Sequence, residues 1–217
     1  MLNLISKDFF LGKKALLFSI IILLAFPPFL TSQIGIELGF WIYPIVMLIL
    51  LMMIPGTVSM EESKNDKVYA YFRITPYTDF QMVAAKYLFE QILFWMMTII
   101  YCIESVIIKD YMSSISFFLL SSSFAFVMII RAIAIPLEFK FGYMITKYIL
   151  IIVVFGVTFG GSLLLKTMSD NSFFGVLSKV LDYIPIELLA VFALIVGVVD
   201  IVVSLIVSKK IIANKEY

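Results

Sequence analysis

Histidine is absent from the sequence, and cysteine occurs once. The first absence removes the commonest zinc ligand, the usual proton shuttle and the usual base for a serine or cysteine nucleophile. An intramembrane metalloprotease is thereby excluded, because the glutamate pair Glu61-Glu62 has no histidines to work with. Cys102 cannot close an intrachain disulfide, and inside an apolar run it reads as a small buried hydrophobe. Charge is scarce as well: 14% of residues are charged, against 63% hydrophobic, and the net charge is +1. A near-neutral chain offers nucleic acid no electrostatic footprint. No GxxxxGK[ST] segment occurs, so the chain has no loop of that kind to cradle ATP phosphates.

What is present is apolar length. Soluble domains are near half apolar and a quarter charged, and a mean hydropathy of +1.10 places this chain with polytopic membrane proteins. Six runs approach the roughly 20 residues that cross hydrocarbon as a helix: Ala15–Leu30, Phe40–Val58, Leu88–Ile108, Ile115–Ile135, Tyr143–Leu165 and Pro185–Ser208. The fold class expected is therefore an all-α integral membrane protein with six transmembrane helices. With the amino terminus in the cytoplasm, thirteen of the 16 basic residues fall on the inner side. The outer side keeps only Lys109, Lys166 and Lys179. That asymmetry orients the chain with both termini cytoplasmic.

Residues 1–14 place Leu2, Ile5 and Phe9 on one helical face, with Lys7 and Lys13 elsewhere, which predicts an interfacial amphipathic helix on anionic lipid. The first apolar run ends in Phe26-Pro27-Pro28-Phe29 without a small-residue cleavage site, so it is expected to be retained. Residues 167–183 are also amphipathic and are expected to lie in the outer leaflet.

The long polar interruption is 59–87, SMEESKNDKVYAYFRITPYTDFQMVAAKY. Pro76 bars a helix before it and pushes Thr75 to extended backbone. Thr78 then stands as an N-cap with Gln81 three residues on, a capping box, flanked by Tyr77 and Met82 at the staple positions. Asp79 sits in the first turn, where the helix dipole favours a carboxylate. A helix starting there can run unbroken into the third span, about 45 Å for about 30 residues. Farther on, Pro136 is expected to break the fourth helix, and Gly142 beside Lys140 to make a tight basic turn.

The KDF with its lysines near the amino terminus, EESKNDK after the second span, ITPYTDFQMVAAKYLF and IPLEFKFGYMITKYI together resemble small permease subunits of ABC-2-type transporters. Thr75-Pro76 stands at the family's turn and Lys86-Tyr87 at its "KY", while Ile74 takes a place where leucine is frequent. Pro136 followed by Lys140-Phe141-Gly142-Tyr143 matches the later pattern. The resemblance implies that residues 1–217 are one transmembrane domain of an exporter in the bacterial plasma membrane. It implies two permease chains, a homodimer or a pair with a paralogue, above two copies of an ABC ATP-binding subunit that carries ATP and Mg. The chain itself would be no enzyme and would hold no cofactor or metal.

Coupling to the ATPase would then run through Glu61, Glu62, Pro76, Thr78, Asp79 and Gln81, with Lys140 and Gly142 in a second cytoplasmic loop. A short chain without a large external domain resembles the permeases that export phenol-soluble modulins, so the implied cargo is an amphipathic cytolytic peptide. The alternative is a non-transporting membrane scaffold or sensor that recruits a cytoplasmic partner through the same segment.

Charges near hydrocarbon are costly, so Glu104, Arg131, Glu187 and Asp200 are candidates for a transport role, with structural pairing the plainer reading. Arg131 and Asp200 fall near inner ends of spans, where snorkelling lowers the cost. They are too sparse for a proton relay, and no half of the chain repeats, which speaks against a secondary transporter. Gly156, Gly160 and Gly161 form a small-residue face in the fifth span. Ser113, Ser114, Ser116, Ser121, Ser122 and Ser123 either line a path or, more plainly, hydrogen-bond between helices.

Overall fold

The computed structural model describes residues 1–34, 39–64, 77–108, 115–152 and 185–214. Every regular element among them is a helix: α1 Leu2–Ile34, α2 Gly39–Ser63, α3 Asp79–Ile107, α4 Phe117–Phe141, α5 Tyr143–Ile152 and α6 Ile186–Ala213. All but α5 are long and apolar enough to cross a membrane. α5 begins where the fifth span is expected. The rest of that span, Gly156, Gly160 and Gly161, the 167–183 segment, Pro76, Ser113 and Ser114 lie outside the described residues.

α1 differs from expectation. Residues 2–14 do not form a separate element but run straight into the first span as one helix of 33 residues, about 50 Å long. Between residues 2–14 and the apolar run no proline intervenes, and Gly12 faces α2, where a Cβ would lie 3.2 Å from the Val58 side chain; the helix also continues through Pro27 and Pro28. Leu4, Ile5, Asp8, Ala15, Ser19 and Leu23 are buried along this side, while Leu2, Phe10, Leu17 and Ile21 stay exposed for lipid.

The main core lies between α1, α2, α3 and α4. Tyr43, Leu50, Leu51 and Ile54 of α2 meet Leu93, Phe94, Met97 and Tyr101 of α3, all fully buried. The Tyr43 and Thr98 hydroxyls lie 2.8 Å apart. Thr98 spends its own proton on the Phe94 carbonyl, so Tyr43 is the donor. α4 packs most extensively on α6, and Gly197 sets the approach. A Cβ there would come within 2.8 Å of the Phe124 ring and 3.3 Å of the Ala125 Cα.

Pro136 does not break α4, which continues to Phe141. A proline inside a helix leaves the carbonyl four residues back without its N–H partner. Ser204 of α6 supplies one, its hydroxyl donating to the Ala132 carbonyl at 2.5 Å. The helix ends at Gly142, whose φ of 81° favours glycine. Ser121 and Ser122 also correct expectation. Each donates to a carbonyl four residues back on its own helix, Phe117 and Phe118 at 2.7 Å, and among the described residues neither bonds to another helix. Ser116 is the N-cap of α4, accepting from the Leu119 amide at 3.1 Å.

Candidate functional site: a buried charge cluster

The buried residues Val83, Tyr87, Glu90, Phe94, Met97, Tyr101 and Glu104 mark one seam along α3 at spacings of three and four. Its first part is polar, and it lies at the end of the bundle where α2 stops and α3 starts. There Glu62, in the last turn of α2, accepts from Lys7 of α1 at 2.5 Å and from Lys86 of α3 at 2.9 Å. Lys7 also pairs with Asp8 at 3.0 Å. Lys86 lies 5.3 Å from the centroid of the Phe139 ring on α4. The two ends of the 59–87 stretch are thus stapled to each other and to α1.

One turn along α3 a second pair begins. Arg131 of α4 donates to Glu90 through Nε at 3.0 Å and through Nη2, a bidentate fork. Its Nη1 lies 3.7 Å from Glu138, which accepts from the Ser59 hydroxyl at 3.0 Å. Arg131 is 3% exposed and Glu90 4%. Tyr87 carries the network to α6: Ser204 spends its proton on Ala132, so Tyr87 donates to Ser204 and accepts from Ser208 at 3.0 Å. Asp8, Ser59, Lys86, Glu90 and Glu138 line a cavity of about 10 Å³, room for about one water. Three cationic side chains face four carboxyl groups across four helices.

Of the residues singled out in the sequence for coupling or transport, Glu62 and Arg131 enter this cluster. Arg131 does not snorkel, because Glu90 and Glu138 meet it inside the bundle. Glu61 pairs with Lys64 at 2.5 Å on the surface, a contact worth little. Thr78 caps α3 as the spacing predicts: it accepts from the Gln81 amide at 3.3 Å, and its own amide donates to the Gln81 side chain at 3.1 Å. Asp79 is in the first turn of a helix that runs unbroken for 29 residues. Lys140 is in the last turn of α4 and Gly142 is its C-cap.

Glu104 is buried at the far end of α3, and neither of its oxygens has a hydrogen-bond partner among the described residues. Asp200 lies on α6 with its Oδ2 buried and without a hydrogen-bond partner among the described residues, and Glu187 is exposed in the first turn of α6. Sequence reasoning missed Lys7, Asp8, Ser59, Lys86, Glu90 and Glu138 as one site. The signal was there in part: Arg131 and Glu138 are seven apart on one helix face, and Lys86 and Glu90 are four apart on another.

Comparison with curated proteins and with solved structures gives no match. A family described as "ABC-2 family transporter protein" matches residues 3–213, nearly the whole chain. The helices that hold the cluster, and residues 65–76 between α2 and α3, all fall within that match. The chain belongs to the ABC-2 family of transporter proteins, multi-pass membrane subunits that partner an ABC ATP-binding subunit.

Proposed function

We propose that this chain is half of the translocation path of an ATP-driven exporter, moved by its ATP-binding partner through residues 61–82. The observation that carries the reading is the ion pair between Glu62 and Lys86. It closes the base of the loop, so that a force on the loop does not spread α2 from α3. The push enters α3 at the Thr78 cap and is shared with α1 through Lys7 and with α4 through Arg131. The loop end is the cytoplasmic end on this reading, in keeping with its basic residues. Two copies of the ATPase, carrying ATP and Mg, would serve two permease chains, whether identical or paralogous. An amphipathic peptide cargo rests on the general resemblance to small permeases that export such peptides, while the motifs themselves point to the ABC-2 family alone. No catalytic residue is assigned to this chain, and the bacterial plasma membrane is its proposed location.

The test is co-purification with the ATP-binding subunit. Replacing 61–82 with a Gly/Ser linker is expected to abolish both association and cargo-stimulated hydrolysis. Glu62→Gln is expected to keep association and lower the stimulation. If association and stimulation both survive the full replacement, the coupling role is wrong. A partner without ATPase activity, and a deletion strain that accumulates no cargo, would instead favour the scaffold or sensor.

A further inference from the structure

A second basic feature lies on the outside of the bundle, away from the charge cluster. Between the ends of α4 and α6 is a groove of about 470 Å³, lined among the described residues by Lys140, Val207, Lys210, Ile211 and Asn214. Its polar wall is two lysines and an amide. Its other wall is apolar. No carboxylate is among those lining residues, and Glu138, the nearest acidic residue in sequence to Lys140, turns inward to Ser59 and Arg131.

The groove opens onto a stripe of α6. Val199, Val203 and Val207 succeed one another four residues apart, each about half exposed. A helix face of this kind in a membrane chain is covered by acyl tails. A headgroup in the groove would therefore sit where its own tail already has a track. We propose that this groove holds one anionic phospholipid. Its phosphate lies between Lys140 and Lys210, Asn214 donates from the side, and one tail lies along Val207, Val203 and Val199. The charge chooses the occupant: a zwitterionic headgroup brings its own cation to two lysines, whereas an anionic one does not. Lysines at the ends of membrane helices recognise anionic headgroups in this way. Lys209 is not among the lining residues and lies 5.9 Å from the Phe80 ring centroid on α3; Lys140 lines the groove and also lies 5.1 Å from the ring centroid of its neighbour Phe141.

The experiment is native mass spectrometry of the full chain in detergent, titrated with phosphatidylglycerol against phosphatidylcholine. The chain is expected to retain one phosphatidylglycerol, with a preference of about 30-fold from two basic contacts. Lys140→Gln with Lys210→Gln is expected to remove that preference. Lys147→Gln with Lys209→Gln, equally basic and exposed on α5 and α6 but outside the groove lining, is expected to leave it intact, and soluble glycerol phosphate at millimolar concentration is expected not to displace the lipid. The proposal is overturned if the wild type holds both lipids equally, if the first double variant keeps the preference, or if the second loses it to the same extent. Displacement by glycerol phosphate would make this a free-phosphate site. A dimeric species that excludes lipid would give the groove to a second copy. Either result also overturns the proposal. None of these outcomes depends on ATPase coupling.

Discussion

Arg131→Met removes the guanidinium from two carboxyl groups that have almost no access to solvent. Glu90 loses both of its hydrogen bonds, and Glu138 keeps only Ser59. Stripping one partner from a buried ion pair costs about 3–5 kcal/mol, mostly because the remaining charge is left uncompensated. Glu90→Leu strands the cation instead, with Glu138 at 3.7 Å as its remaining partner, and is expected to fall in the same range. Replacing both leaves an apolar contact of similar volume, which is close to neutral for such pairs. Glu138 then rests on Ser59 alone, a residual cost of about 1–2 kcal/mol. The double variant should therefore be more stable than either single one, with a coupling energy above about 2 kcal/mol. Arg131→Lys keeps the charge but not the fork, and is expected to lie between wild type and Arg131→Met.

Equilibrium unfolding in mixed micelles, followed by far-ultraviolet circular dichroism, measures all four variants on one scale. Additivity within about 0.5 kcal/mol would refute the pairing. So would single variants costing less than about 1 kcal/mol, the result expected of an arginine that snorkels to water.

Three further perturbations probe separate joints in the same unfolding assay. Thr78→Ala removes the α3 cap and is expected to cost about 1 kcal/mol, with Thr78→Ser close to neutral. Ser204→Ala leaves the Ala132 carbonyl without its donor and should cost about 1–3 kcal/mol. In a Pro136→Ala background the restored amide serves that carbonyl, so the same change should cost less, the remainder being the lost Tyr87–Ser204 hydrogen bond. Gly197→Ala drives a methyl group to 2.8 Å from the Phe124 ring and is expected to cost about 1–3 kcal/mol. Phe124→Leu should return part of that.

Five of the six spans and the Thr78 cap were legible because each depends on residues close together in the chain. Apolar length marks a crossing wherever its partners are, and a capping box is complete within four residues. The continuity of α4 was not legible, because the carbonyl that Pro136 frees is served by Ser204, which lies on another helix. Nor was the extent of α1 legible: its first turns are held in line by Lys7 reaching Glu62, 55 residues away. Arg131 looked like a lone charge at a helix end for the same reason. Its fork is 41 residues back in the chain, and Glu90 stands inside an apolar run where nothing nearby announces a partner. Periodicity gives the face on which a charge lies, and no single sequence gives the face that meets it.

Buried ion pairs are poor sources of net stability, so their concentration at one end of the bundle calls for another physical account. Apolar contacts are forgiving of sliding: Leu93 and Met97 can trade neighbours at little cost. An ion pair is not. A slip of α3 past α2 by one turn carries Lys86 about 5.4 Å along the axis and separates it from Glu62, now 2.9 Å away. The same slip against α4 parts Glu90 from Arg131. The cluster therefore fixes the register of α1, α2, α3 and α4 at the end nearest the loop. At the other end of α3, Glu104 has no hydrogen-bond partner among the described residues, and the neighbouring contacts of Leu24, Ile100 and Ile103 are apolar. On the coupling proposed above, a displacement imposed at residues 61–82 would enter α3 at the end whose register the ion pairs fix, while among the described residues no ion pair fixes the register at the Glu104 end.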